Sequence, residues 1–203
     1  MDKNYFDDKA EKWDAHESRV KRAEKIYLKI AEKVKIKDDG NVLDFGCGTG
    51  LLGFNFIDKA KNVTFADTSK GMLEQIDKKA EQKKVKNYKT LNLTEEKITE
   101  DFNLIVTLMA MHHVEDLDKT IENLSLHLLK GGYICFSDLD LEDGSFHYPN
   151  VAPHNGIDRN IITQNLATKN VNIIYNETVH IETKTINGII KEFPVFLIIG
   201  IKE

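Results

Sequence analysis

The residue types best suited to chemistry stand in residues 42–50, which read Val-Leu-Asp-Phe-Gly-Cys-Gly-Thr-Gly. Glycine at every second position permits a sharp turn and lets a ligand approach the backbone without meeting a Cβ atom. Asp44 lies in the preceding apolar run, where an unpaired charge is costly, so we expect it to face a cation or hydrogen-bond donors. The pattern predicts a buried strand, a tight turn and the start of a helix, together forming a ligand site.

A second carboxylate, Asp67, ends the next apolar run, 62–66, and lies 21 residues after Gly46. An acid about 20 residues beyond such a turn typically accepts hydrogen bonds from ribose hydroxyls. Asp67 could instead cap the helix that begins near Thr68 or Ser69. Because either of those hydroxyls could serve as the cap, we favour the ribose role and expect a nucleoside-containing ligand.

The same turn also fits the dinucleotide fingerprint G-x-G-x-x-G through Gly48, Gly50 and Gly53. In that interpretation a pyrophosphate lies at a helix N-terminus and the protein is an NAD-dependent oxidoreductase. Asp44 argues against it, because a carboxylate beside the phosphates would repel them. A ligand with an ammonium group and no phosphate suits Asp44 better.

Residues 42–50 resemble motif I of the class I S-adenosylmethionine-dependent methyltransferases, in particular the small-molecule, type 11-like family. The resemblance covers nearly the whole chain and is most specific over residues 42–69. It implies S-adenosylmethionine as cofactor and methyl transfer to a small-molecule acceptor. A non-catalytic module that binds a nucleoside or a partner on the same fold is the alternative, followed by the oxidoreductase. The implied cofactor contacts are Trp13, Asp44, Gly46, Cys47, Gly48, Gly50, Asp67, Thr68, Met72, Asn92, Leu93, Met109 and Ala110.

Residues 102–116 resemble a second motif of that family, F-D-L-I-x…H-H-x-x-D, with Asn103 in place of the usual Asp. That position precedes the strand, where it is expected to serve the sheet edge. Asn92 likewise replaces an Asp that accepts from the adenine amino group, a role its amide oxygen can still perform. Adjacent histidines in a strand point to opposite faces, so His112 and His113 are not expected to share a metal ion. We assign His112 to the substrate and His113 to catalysis, because a histidine titrates near neutrality.

The segment 137–156 is long and irregular, which is typical of functional loops, and it is expected to contact the acceptor. His147 and His154 are therefore candidate catalytic residues. Asp138, His147 and His154 lack the paired spacing of a metal site, and no metal is predicted. The candidate substrate-binding residues are Phe6, His112, Asp138, Tyr148 and Arg159.

Residues 5–14 resemble the F-D-x-x-A-x-x-[YW]-D opening of many small-molecule methyltransferases, which implies a lid over the cofactor. Trp13 would then lie near the sulfonium in a cation–π contact, worth about 0.5–2 kcal/mol. Alternatively, Phe6 and Trp13 simply anchor the leading helix on the sheet.

Composition excludes several classes of protein. The 203 residues have a net charge of −5, which gives no basic surface for nucleic acid. Apolar runs stay well short of the ~18 residues that a membrane span needs, and the charged residues 1–4 do not resemble a secretory signal. With only Cys47 and Cys135, a reducing compartment is favoured. We expect a cytoplasmic enzyme, either monomer or homodimer.

Hydrophobic periodicity predicts alternating helices and strands followed by two terminal strands joined near Asn187-Gly188. This order favours a Rossmann-like, doubly wound α/β fold: a mostly parallel seven-stranded sheet, helices on both faces and a C-terminal antiparallel hairpin. One domain, 1–203, is expected, with a lid and helix (1–35), a cofactor-binding core (40–138) and an acceptor-side part (139–203). The predicted helices are 10–35, 51–60, 72–80, 117–128 and 157–167, and the predicted strands are 41–45, 62–66, 88–91, 104–108, 133–136, 171–183 and 193–202.

Overall fold

Seven strands form one sheet in the computed structural model, which describes residues 5–36 and 39–203. The strand order is β3-β2-β1-β4-β5-β7-β6, and only β7 runs antiparallel to its neighbours. The predicted sheet and terminal hairpin are confirmed. Residues 1–4, on which the prediction about a secretory signal rests, lie outside the described residues. The strands are β1 Asn41–Phe45, β2 Asn62–Asp67, β3 Tyr88–Asn92, β4 Phe102–Leu108, β5 Leu128–Leu139, β6 Val171–Ile186 and β7 Ile189–Lys202.

Helices cover both faces of the sheet, as predicted. They are α1 Glu17–Lys33, α2 Lys70–Lys83, α3 Leu117–Leu126 and α4 Arg159–Ala167. Successive strand residues point to opposite faces. In β1, Val42 therefore belongs to the core under α1 and α2, and Leu43 to the core under α3 and α4. Of the helices in the described ranges, none is both long and apolar enough to cross a bilayer.

The N-terminal helix predicted over 10–35 is wrong in its first part. The chain forms a 3₁₀ helix over Asp7–Ala15, becomes extended at His16, and enters α1 only at Glu17. Polar contacts to other elements explain the break. The Asp7 carboxylate accepts hydrogen bonds from Ser69 Oγ at 2.6 Å and Gly71 N at 2.7 Å, and Asp14 accepts from Thr49 Oγ1 at 2.5 Å. These bonds turn the segment across the sheet edge.

Three further predictions about the helices and strands were wrong. The helix expected over 51–60 is a 3₁₀ helix, Gly53–Lys59. The helix expected to reach Leu128 ends at Leu126. The strand expected at 133–136 begins earlier, at Leu128, and includes Gly131 and Gly132. Gly131 has φ +74°, which allows the register of β5 on β4 to shift there.

Local sequence accounts for two features of the C-terminal half. Asp158 caps α4 by accepting from Asn160 N at 2.8 Å. Asn187 and Gly188 have φ of +51° and +80°, which suits a two-residue hairpin turn. The expectation that Asn103 precedes its strand is wrong, because it lies within β4. Its Oδ1 accepts from Asn41 N at 3.0 Å, where β1 begins beside β4.

Candidate active site

A cavity of about 870 Å³ opens at the carboxyl ends of β1, β2 and β4. Ligands in open α/β sheets bind at this edge, where the strand order reverses. The 3₁₀ segment Asp7–Ala15 forms one wall, and α3 forms another. Of the predicted cofactor contacts, the cavity is lined by Trp13, Asp44, Gly46, Cys47, Gly48, Asp67, Thr68, Met72, Leu93, Met109 and Ala110.

Asp44 is the principal charged group at the base of this cavity. It is only 1% exposed, and its Oδ2 accepts one hydrogen bond, from Gly53 N at 2.9 Å. Burial raises the pKa of the Asp44 carboxyl to about 7, and the nearby Asp67 adds to this, although the Gly53 bond opposes it. The carboxylate therefore lacks a cationic partner among the described residues, and its charged form would be stabilised by one.

The glycines of the turn serve close packing. Gly46 has φ +65°, and a Cβ there would overlap the side chain of Ala110. A Cβ on Gly53 would lie 2.5 Å from the Phe65 ring and 2.6 Å from Asp44 Oδ2. The absence of a side chain at Gly53 therefore allows its N–H to reach Asp44. This packing explains the third glycine of the G-x-G-x-x-G pattern, and no pyrophosphate is needed to explain it. Gly50 lies outside the cavity lining, against Ile76 and Phe54.

Asp67 ends β2 and connects the two loops that border the cavity. Its Oδ2 accepts from Gly48 N at 2.8 Å, and its Oδ1 accepts from Ser69 N at 2.9 Å. Burial raises the pKa of this carboxyl, and the three backbone donors of Ser69, Gly48 and Thr68 oppose the rise. The cap of α2 is Ser69, whose side chain accepts from Met72 N at 3.1 Å. Asp67 is thus free of the capping role and keeps unused lone pairs at the cavity.

The 3₁₀ segment over the cavity presents two aromatic rings to it. Phe6 and Trp13 line the cavity, and the Trp13 indole nitrogen approaches Gly48. The Arg19 guanidinium stacks 3.7 Å from the centroid of the Trp13 ring and donates to Trp13 O. Trp13 therefore already makes one cation–π contact within the protein.

The ends of β3 and β4 differ in what they offer. Asn92 Oδ1 accepts from the backbone N and the hydroxyl of Thr94, at 3.0 and 2.7 Å, and its side chain lies outside the cavity lining. The predicted adenine contact of Asn92 therefore competes with a local turn. Met109 has φ +55°, uncommon for a side chain other than glycine, and donates to Ser137 O. This conformation places Met109 and Ala110 in the cavity lining.

The two adjacent histidines do not point to opposite faces, because they lie in a 3₁₀ turn, Met111–His113, and not in a strand. Their ring centroids are 4.0 Å apart, and the His147 ring lies 5.0 Å from each. We call these three residues the histidine trio. His112 is buried, and its Nδ1 is hydrogen-bonded to Asp138 Oδ1.

The expectation that His113 titrates near neutrality is also wrong. Burial first, and then the neighbouring His112 and His147, lower the pKa of His113 to about 2. Burial, His112 and Lys184 lower the pKa of His147 to about 4. Both rings are therefore neutral at pH 7, and each can offer a nitrogen lone pair.

Other predicted substrate and catalytic residues lie away from the cavity lining. His154 Nε2 donates to Val114 O at 2.9 Å, and its ring faces a separate shallow groove beside Asp116 and Ile161. Arg159 pairs with Asp140, and Tyr148 is 63% exposed on the loop surface. Of the predicted substrate residues, only Phe6 reaches the cavity, while His112 and Asp138 lie behind it.

Sequence reasoning missed several lining residues. Arg19 and Arg22 project from α1, and Arg22 forms a buried ion pair with Glu182 of β6 at 2.5 Å. No local signal marks them, since charged residues at helical spacing usually indicate a solvated face. The other missed residues lie between β3 and β4, on β4 and its following turn, on α3 and in the glycine turn: Glu96, Lys97, Ile98, Leu108, Val114, Lys119, Thr120, Glu122, Asn123, Leu126, Thr49, Leu51, Leu52 and Phe45.

The chain is similar in sequence to known methyltransferases over the strands that border the cavity. A family profile described as a methyltransferase domain matches residues 43–134, which run from β1 into β5. The ubiquinone biosynthesis O-methyltransferase of Coxiella burnetii is 28% identical over 127 residues, which cover 61% of this chain and 53% of that protein. The chain spans about a third to a half of the length of the curated relatives it matches.

Solved structures share the fold. The YcgJ protein of Bacillus subtilis superposes with a TM-score of 0.70 at 19% identity, over 89% of this chain and 98% of that one. Coclaurine N-methyltransferase, solved with N-methylheliamine and S-adenosylhomocysteine (SAH), superposes with a TM-score of 0.67 at 12% identity, over 88% and 72% of the two chains.

Proposed function

We propose that this chain, which belongs to the class I S-adenosylmethionine-dependent methyltransferases, binds S-adenosylmethionine (SAM) in the cavity and methylates a small molecule. The observation that carries the proposal is Asp44, a buried carboxylate with one hydrogen-bond donor and no cationic partner among residues 5–36 and 39–203. SAM has an ammonium group on its amino-acid end and no phosphate. That ammonium would supply the missing charge, whereas the pyrophosphate of NAD would be repelled.

The other predicted cofactor residues that line the cavity fit the rest of the SAM molecule, whereas Gly50 and Asn92 lie outside the lining. Asp67 is positioned at the end of the neighbouring strand to accept from ribose hydroxyls, while Gly46 and Gly48 expose backbone. Met72 and Leu93 offer apolar surface to a base, and Met109 and Ala110 to the methyl end. We propose that the segment Asp7–Ala15 closes over the cofactor, with Trp13 against it.

Bound SAM supplies a methyl group activated by its sulfonium. The protein's part is alignment and exclusion of water, and near-attack positioning of two reactants contributes about 7–11 kcal/mol to such reactions. On the acceptor side, His113 reaches the cavity and His147 contacts His113. We propose that these two residues hold the acceptor through their neutral ring nitrogens.

A small-molecule acceptor is supported by the names of the relatives, which are a ubiquinone biosynthesis O-methyltransferase and a coclaurine N-methyltransferase. The net charge of −5 and the enclosing aromatic segment also favour a small molecule over nucleic acid. We further propose a cytoplasmic protein, which two free buried cysteines support, and a monomer or homodimer.

The roles of Asp67 and Ser69 can be separated by substitution. Asp67→Ala should weaken SAM binding about 10–100-fold, because hydrogen bonds to a charged acceptor contribute about 1.5–3 kcal/mol. Ser69→Ala removes the cap and should lower the free energy of unfolding by about 0.5–2 kcal/mol with a smaller effect on binding. Calorimetry and thermal melts of both variants test this. An Asp67→Ala protein that melts lower but binds SAM normally would restore the capping interpretation.

The function itself is tested by SAH release. The purified chain is incubated with SAM and a panel of phenols, amines, thiols and carboxylic acids, and SAH is quantified. We expect SAH above the acceptor-free control with at least one class. Tight SAM binding without SAH release from any acceptor would favour the non-catalytic module, and NAD binding in place of SAM would favour the oxidoreductase.

A further inference from the structure

The histidine trio forms a compact cluster of potential metal ligands. One ring nitrogen from each of His112, His113 and His147 lies within 4.8 Å of the other two. The trio combines a turn after β4 with the loop after β5, two segments far apart in sequence. The trio differs from Asp138, His147 and His154, the residues considered as metal ligands from the sequence.

Each residue of the histidine trio has one buried ring nitrogen without a hydrogen-bond partner among the described residues. His112 Nε2, His113 Nδ1 and His147 Nε2 are buried and make no hydrogen bond to any of the residues 5–36 and 39–203. A buried polar atom without a partner costs about 1–3 kcal/mol, so three in one place require an explanation. A bound ion that accepts all three lone pairs would provide it.

Asp138 orients one of the three rings for this purpose. Its Oδ1 is hydrogen-bonded to His112 Nδ1 and accepts from its own neighbour, Leu139 N, while Oδ2 accepts from Met111 N at 2.8 Å. These hydrogen bonds satisfy the carboxylate, which accepts the proton that His112 carries on Nδ1. This leaves a lone pair on Nε2, directed away from Asp138. A carboxylate behind a histidine is the usual support of a metal-binding imidazole.

We propose that His112, His113 and His147 bind a divalent transition-metal ion, with Zn²⁺ as the best fit. Neutral imidazoles suit Zn²⁺ and its neighbours, while Mg²⁺ and Ca²⁺ prefer oxygen ligands. Zn–N bonds of about 2.0–2.1 Å at tetrahedral angles place the nitrogens about 3.3 Å apart. The rings must therefore draw together by no more than about 1.5 Å, and His147 lies on a loop that can supply this movement.

Three protein ligands leave a fourth position open, as in catalytic zinc sites. His113 lines the cavity, so the open position communicates with the place where the acceptor binds. An acceptor hydroxyl or thiol bound there through its lone pair would have a lowered pKa and would release its proton to solvent, remaining bound as the anion. This role rests on the proposed function, but the metal site does not.

The test uses the full chain without a polyhistidine tag, stripped with a chelator and titrated with Zn²⁺ or Co²⁺ in the absence of SAM. We expect one equivalent to bind, a rise in melting temperature, and the visible absorption of tetrahedral Co²⁺. His147→Ala, a partly exposed position, should abolish the Co²⁺ spectrum. Asp138→Asn should weaken affinity about 10–100-fold and leave the stoichiometry unchanged.

Two control variants complete the design. His127→Ala removes a histidine outside the cluster, and His154→Ala removes a neighbour that is not a ligand; both should bind like the wild type. Circular dichroism without metal confirms that each variant is folded. The proposal is overturned if the wild type binds no Zn²⁺ or Co²⁺, or if His147→Ala binds them equally well. Because SAM is absent, failure here leaves the proposed methyltransferase function untouched.

Discussion

Replacement of Asp44 by Asn should weaken SAM binding about 10²–10⁴-fold. Asn keeps the acceptor for Gly53 N and nearly the same volume, so the loss isolates the negative charge. Removing one partner of a buried ion pair costs about 3–5 kcal/mol, which corresponds to this range. Isothermal calorimetry of the two proteins gives the ratio, with the exposed Asp58→Asn as a matched control that should bind like the wild type.

The pH dependence of SAM affinity provides a second test of the role of Asp44. With its pKa raised to about 7, Asp44 must lose a proton before it can pair with an ammonium below that pH. SAM affinity of the wild type should therefore fall about tenfold per pH unit below pH 7, and that of Asp44→Asn should stay flat over the same interval. Equal affinity and equal pH profiles in the two proteins would contradict the role given to Asp44.

Without SAM, the same substitution should stabilise the protein. The folded state holds a proton on Asp44 up to about pH 7, whereas the unfolded chain releases it near the ordinary pKa of 3.8. Asp44 therefore costs stability increasingly as pH rises from about 4 to about 7, and by a constant amount above that. At pH 8, Asp44→Asn should raise the free energy of unfolding by about 2–4 kcal/mol. A gain in stability together with a loss of affinity is expected of a ligand site and not of a structural carboxylate.

The second large effect concerns turnover. On a confirmed acceptor, His113→Ala and His147→Ala should each lower kcat about 10²-fold, because a displacement of the acceptor by about 1 Å costs about this much. SAM affinity should change by less than about threefold, because the proposed cofactor contacts lie on Asp44, Asp67 and the glycine turn. Initial-rate kinetics and calorimetry separate the two quantities.

His154→Ala is the internal comparison. Its ring donates to Val114 O and faces another groove, so its loss should affect stability more than turnover. If His154→Ala lowers kcat as strongly as His147→Ala, the original assignment of His154 to catalysis from the sequence is restored. Unchanged kinetics in both His113 and His147 variants would move the acceptor site away from the trio.

The parts of the site that local sequence encodes were predictable. The turn at 46–50 follows from glycine spacing, and the positions of Asp44 and Asp67 follow from the apolar runs that each acid interrupts or ends. The hairpin at Asn187-Gly188 follows from turn chemistry. Each of these signals involves residues close together in the chain, so one sequence suffices to read them.

The rest depends on contacts between distant segments. The break at His16 reflects hydrogen bonds that Asp7 accepts from α2 and Asp14 accepts from the glycine turn, which helical periodicity does not register. The rings of His112 and His113 lie next to each other because the chain leaves β4 in a 3₁₀ turn. His147 joins them only when the following loop folds back, and the lowered pKa of His113 is a consequence of that burial.

The most direct test of the central claim is a calorimetric titration of the wild-type chain with SAM, with SAH and with NAD under the same conditions at pH 8. We predict that SAM and SAH each bind with a stoichiometry of one and that NAD gives no saturable heat. Binding of NAD without binding of SAM or SAH would contradict the assignment of the cavity to a methyl donor.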